Sequence, residues 1–98
     1  MKKVIIIADD FTGALDTGVQ FAGKGIATTV TQQIDADLKA LFEKFQVVVV
    51  DTESRHLPHA EAYRIVRIVA DNAVAAGVDI IYKKTDSALR GNIGAEFK

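Results

Sequence analysis

The chain has 98 residues, 12 basic against 13 acidic, a formal charge of −1 and no cysteine. This length bounds it to one domain with a single core, and 49% hydrophobic with 26% charged residues makes it globular. The charge balance argues against a nucleic-acid binder, and the lack of cysteine excludes disulfides and thiolate metal sites and is compatible with the cytoplasm.

The opening "MKKVIIIADD" has too short an apolar run for a secretory signal, and no stretch approaches the ~20 apolar residues that cross a membrane. Instead Val4 to Ala8, continuous and β-branched, predicts a strand buried on both faces. Thr12 is placed to cap a helix whose apolar face carries Leu15, Val19 and Ala22 and which ends at Gly23 and Gly25. "IATTVTQ", polar on one side, predicts an edge strand. Asp35 or Asp37 caps a second helix with the stripe Leu38, Leu41, Phe42, Phe45.

"QVVVVD" predicts a third strand, apolar throughout. Pro58, the only proline, fits the first turn of a third helix. Its stripe is Ala62, Ile65, Val66, Val69, Ala73, with Arg67 and Asp71 paired at i, i+4. "VDIIYK" is a fourth strand, and "RGNIGAEFK" reads as the start of a helix capped by Asn92.

This alternation predicts an α/β fold, a three-layer α/β/α arrangement around a mainly parallel sheet. The first and third strands are the most apolar and belong in the centre, and the second belongs at an edge. A flavodoxin-like order 2-1-3-4 satisfies both. The last helix has scarcely begun at Lys98, and the fourth strand is left as an open edge. Residues 1–98 therefore read as one domain cut from something longer, or completed by a partner.

Parallel strands point their C-terminal ends to one rim, where ligands bind. The loops that follow the first, third and fourth strands are "ADDFTG", "DTESRHLP" and "KKTDSALRGN". They bring Asp9, Asp10, Thr12, Asp51, Glu53, Ser54, Arg55, Lys83, Lys84, Thr85, Asp86, Ser87 and Arg90 to that rim. The opposite rim carries bland turns such as "GKG" and "AAGV".

Arg55 and Arg90 can each grip a carboxylate or phosphate with two parallel hydrogen bonds, and Lys84 adds a point charge. Gly91 lets backbone approach a ligand, and the helix start near Asn92 offers free N–H groups to an anion. These features predict a small anionic ligand. Asp10 and Asp86 can hold hydroxyl groups, and either can serve as general base. There is no G-x-x-x-x-G-K-[ST] and no G-x-G-x-x-G after the first strand, so ATP has no cradle in this chain. His56 and His59 lack a third metal ligand, and no metal site is expected. Ser54 and Ser87 lack a triad histidine.

"IADDFTGALDTGVQFA", "VVDTESRHL" and "YKKTDSALRGNIGAE" closely resemble the N-terminal domain of the four-carbon acid sugar kinases, the D-threonate, erythronate and oxo-tetronate kinases. The resemblance covers essentially the whole chain. It implies a two-domain, ATP-dependent cytoplasmic enzyme that phosphorylates the terminal hydroxyl of a sugar acid. The N-terminal domain would hold the sugar acid, and a C-terminal domain absent here would bind ATP and Mg²⁺. By motif, Asp10, Arg55, Lys84, Asp86 and Arg90 would line the substrate site; the same loops add Asp9, Thr12, Asp51, Ser54, Thr85, Gly91 and Asn92 as expected substrate contacts, with Asp10 and Asp86 as candidate catalytic groups. Partners would be the sugar acid, the missing domain and a second copy in a homo-oligomer, with neither nucleic acid nor membrane. The chain alone would bind without turnover.

A receiver-like signalling domain is a rival. It too has acidic residues after its first strand, a phospho-accepting aspartate after its third (here Asp51) and a hydroxyl after its fourth (here Thr85). It needs a fifth strand ending in lysine, which this sequence lacks. A non-catalytic interaction module would use the open edge but leaves the three loops unexplained.

Overall fold

Where the sequence is continuously β-branched, the chain forms strands. The computed structural model describes residues 2–84, and Thr85 to Lys98, with the last predicted helix and its Asn92 cap, lie outside the described residues. In order, the elements are β1 (Val4–Ala8), α1 (Phe11–Gly23), β2 (Thr28–Thr31), α2 (Leu38–Leu41), β3 (Val47–Asp51), α3 (His59–Ala75) and β4 (Ile80–Lys84). Asp37 caps α2 by accepting from the Ala40 amide at 3.2 Å. Pro58 stands at the N-cap of α3, and Arg67 meets Asp71 at 3.4 Å, as their spacing predicts.

The four strands are parallel, in the order β2-β3-β1-β4. The expected α/β/α class holds, with β1 and β3 central and β2 at an edge. The expected order 2-1-3-4 does not hold. Both orders put the same two strands in the centre, and apolar content cannot say which edge strand neighbours which central one. Connection length does: the short link through α2 joins neighbours, with the Gln46 and Val47 amides both donating to the Ala27 carbonyl. Helices α1 and α3 each carry the chain past one strand.

Alternation along the strands divides the core in two. Ile5, Ile7, Val48 and Val50 face Leu38, Phe42, Val69 and Ala73 of the α2–α3 layer. Ile6, Ala8, Val47 and Val49 face α1 through Ala14, with Phe21 packed alongside. Of the predicted α3 stripe, Val66, Val69 and Ala73 pack into the core while Ala62 lines the cleft and Ile65 is half-buried outside it; the α1 stripe is displaced. Ala14 and Gly18 are its buried residues, while Leu15 (42%) and Val19 (69%) are exposed. Small residues face the sheet because the helix lies close to it: a Cβ on Gly18 would stand 2.8 Å from a methyl of Val30. The larger apolar residues are turned onto an outer flank with Phe11.

Candidate functional site

The carboxyl rim of β3, β1 and β4 is where α1 and α3 leave adjacent strands toward opposite faces of the sheet, the position at which such sheets open a crevice. β1 is in the middle, so the Asp9–Asp10 turn is flanked on both sides. Asp10, not Thr12, is the N-cap of α1. Its backbone is extended, and its Oδ1 accepts from the Gly13 amide at 2.9 Å. Thr12 is an exposed residue of the helix, away from the cleft lining. Gly13 has to be small here, because a Cβ would sit 2.8 Å from that Oδ1.

The other oxygen of Asp10 faces Arg55. Arg55 Nη1 lies 2.9 Å from Asp10 Oδ2, and Nη2 lies 3.7 Å from Asp9 Oδ1. Asp10→Ala removes both roles, and a lost cap typically costs about 1 kcal/mol. We expect destabilisation of about 1–2 kcal/mol in urea unfolding, with Asp10→Asn close to the parent because asparagine caps equally well.

The loop after β3 is stitched to β1 by backbone. The Thr52 amide and hydroxyl both donate to the Ala8 carbonyl, at 2.8 and 3.0 Å. The Ser54 and Arg55 amides both donate to the Asp9 carbonyl, at 3.0 and 3.1 Å. The Thr52 and Ser54 hydroxyls are 2.7 Å apart. Asp51 is buried beneath this turn at 1% exposure, accepting from Gln32 Nε2 and from the Glu53 amide, each at 3.0 Å.

Between this loop, β4 and the start of α3 is a cleft of about 480 Å³. Arg55, Lys83, Lys84 and His59 line it against one carboxylate, Asp9, while Leu57, Ala62, Tyr63 and Val66 form an apolar wall. Neither lysine has an acidic partner among the described residues. The cleft is suited to an anion with a carbon skeleton. A smaller hollow of about 240 Å³ by Asp35, Asn72 and Ala76 lies at the far end of α3, away from this rim.

Of the residues expected to bind substrate, Asp9, Ser54, Arg55 and Lys84 line the cleft. Asp10 adjoins it through Arg55, while Asp51 is buried and does not line it. Thr85, Asp86, Arg90, Gly91 and Asn92 lie outside the described residues. Sequence reasoning missed the α3 contribution of His59, Ala62, Tyr63 and Val66. The signal was available, since a helix packed under strand ends presents its first turn to the rim. Among the described residues no group of three His, Cys, Asp or Glu is set to hold a metal ion.

Glu53 is exposed, with a left-handed backbone (φ 50°). Its carboxyl is pushed above its ordinary value of 4.5, first by a side-chain hydrogen bond with Asp51 and then by the charges of Asp51 and Asp10. The folded state thus favours the protonated form. That contribution is complete below the unfolded value and lost as pH rises through the raised one. Glu53→Gln, which mimics the neutral acid, should therefore melt above the parent at pH 7, and the gap should close below about pH 4.

The fold thus sets a cleft lined by Arg55, Lys83 and Lys84 at the carboxyl rim of a parallel α/β domain, the edge at which domains of this class bind ligands. The sequence profile described as the sugar-binding N-terminal domain matches residues 4–98, and the chain belongs to that family. It is 44% identical over 95 residues to a D-threonate kinase of Salmonella typhimurium, covering 96% of this chain and 22% of the relative. It is 41% identical over 96 residues to a D-erythronate kinase of Heliobacterium modesticaldum, covering 98% and 22%. The chain thus spans about a fifth of the length of these curated relatives. A crystal structure of a domain of unknown function from Bordetella bronchiseptica, a domain-swapped dimer with bound citrate, superposes with a TM-score of 0.74. It has 41% identity, over 95% of this chain and 24% of that one.

Proposed function

We propose that this chain is the sugar-acid-holding part of an ATP-dependent kinase that phosphorylates the terminal hydroxyl of a four-carbon sugar acid in the cytoplasm. The observation that carries this reading is the cleft lined by Arg55, Lys83, Lys84 and His59, in a chain whose relatives are D-threonate and D-erythronate kinases. Arg55 would hold the ligand carboxylate, giving up part of its pairing with Asp9 and Asp10, with Lys83 and Lys84 adding charge. Asp9, and Asp10 once released from Arg55, would accept from ligand hydroxyls. Asp10 is then a candidate to orient the reacting hydroxyl. The sequence has no phosphate-cradling glycine motif, and among the described residues no group of three His, Cys, Asp or Glu is set to hold a metal ion. ATP and Mg²⁺ would therefore belong to a C-terminal domain, and the isolated chain would bind without turnover.

A citrate-bound, domain-swapped relative supports an anionic ligand and a homo-oligomeric assembly. The receiver alternative is disfavoured by the burial of Asp51, whose two oxygens are both engaged. NMR titration with D-threonate and D-erythronate is expected to shift Asp9, Asp10 and Arg55. Titration with Mg²⁺ and beryllofluoride is expected to leave Asp51 unmoved. Shifts centred on Asp51 with beryllofluoride, and none with either sugar acid, would overturn the proposal.

A further inference from the structure

Asp51 is a buried carboxylate that the cleft does not touch, and the residue two places on is the only non-glycine with positive φ among the described residues. These two facts meet in one hydrogen bond, from the Glu53 amide to Asp51 Oδ1 at 3.0 Å. An aspartate that accepts from the amide two residues on folds the chain into a tight turn. Glu53 pays the steric penalty that a side chain meets in the left-handed region. It also places its carboxyl against that of Asp51, which raises its pKa. No local preference selects this conformation, so something else must hold it. The turn reverses the backbone so that the next two amides, of Ser54 and Arg55, both reach the Asp9 carbonyl. From there the Arg55 guanidinium reaches the carboxylates of Asp10 and Asp9. The second oxygen of Asp51 is held by Gln32, just beyond the end of β2, which anchors the turn to the edge of the sheet.

We infer that Asp51 is a positioning residue for Arg55: by holding Glu53 in the left-handed turn it aims the cleft's arginine, without touching the ligand. The part of this inference that concerns affinity rests on the sugar-acid reading above; the part that concerns the aim of Arg55 does not. Glycine adopts positive φ freely, so a glycine at position 53 should make the anchor dispensable. Asparagine keeps an acceptor for the Glu53 amide while removing the charge, and the exposed Gln32 amide can turn its oxygen toward the new NH₂.

The test uses the 98-residue chain and four variants, Asp51→Ala, Asp51→Asn, Glu53→Gly and the double Asp51→Ala/Glu53→Gly. Folding is checked by circular dichroism. Two quantities are read: the affinity for D-threonate by calorimetry, and the Arg55 Nε–H signal in ¹⁵N NMR without ligand. Asp51→Ala is expected to lose at least tenfold in affinity and to shift the Arg55 signal toward that of a free arginine. The double variant should return to within threefold of Glu53→Gly on affinity and recover the Arg55 signal, and Asp51→Asn should stay within threefold of the parent. Should Asp51→Ala fail to fold, Asp51→Asn and the double variant still decide the matter. An unshifted Arg55 signal in folded Asp51→Ala would overturn the inference. So would a tenfold loss in Asp51→Asn with Arg55 unmoved, or a folded double variant without recovery. If the parent ignores D-threonate while the Arg55 signals follow the expected pattern, the sugar-acid reading fails and the positioning role stands.

Discussion

Arg55→Met is expected to weaken D-threonate or D-erythronate binding by roughly ten- to a hundredfold while leaving the melting temperature nearly unchanged. A charge-assisted hydrogen-bonded pair contributes about 1.5–3 kcal/mol, and its loss translates directly into affinity. Removal also leaves Asp9 and Asp10 without their cation, so the cleft mouth becomes more repulsive to an anion. Stability responds little because the arginine is 41% exposed, and ion pairs of that kind contribute up to about 1 kcal/mol. Arg55→Lys should recover only part of the affinity, because a point charge lacks the planar fork. Calorimetric titration beside thermal melts checks both halves. Affinity within threefold of the parent would remove Arg55 from the ligand's reach.

Ile5→Ala is expected to be the most damaging single truncation on the α3 side of the sheet. Ile5 is fully buried, on a strand paired on both edges, opposite Val48 on one side and Ile81 on the other. Isoleucine-to-alanine changes at such sites cost about 2–5 kcal/mol, against roughly 5–10 kcal/mol for a domain of this size. At about 4–8 °C per kcal/mol the melting temperature should fall by at least ~8 °C. Val19→Ser is the matched control. Val19 is 69% exposed, so its loss should move stability by no more than about 0.5 kcal/mol. A large effect at Val19 would instead restore the apolar face predicted from periodicity.

That contrast shows what the sequence could and could not reveal. The existence of four strands, with limits within about two residues, was legible because runs rich in Val, Ile and Thr have no other use in a chain this short. Much of the α3 stripe was legible for a similar reason: Val66 and Val69, beside Ala73, are large enough to register as a pattern. On α1 the pattern misled, because the helix approaches the sheet through Ala14 and Gly18, and small residues at a close contact leave no hydrophobic signal. Strand order was hidden because Val and Ile content separates centre from edge and says nothing of left and right. Among the site residues, Arg55 and Asp9 were legible as polar groups at a strand end. The depth of Asp51 was not, since the same letter after a strand serves a ligand contact or a buried turn equally well. The apolar wall was not read from the sequence because Leu57 falls in a polar loop and Tyr63 on the exposed side of α3, although the position of α3 beneath the strand ends could have pointed to it.

Asp10 divides its carboxylate, one oxygen to the first turn of α1 and the other to Arg55. Any occupant that draws the guanidinium away alters the charge left on the group that holds the Gly13 amide. Hydrogen–deuterium exchange at Gly13 should therefore register occupancy of the cleft, although that amide is not among the groups that line it: a built-in gauge, readable without a label or a coupled assay.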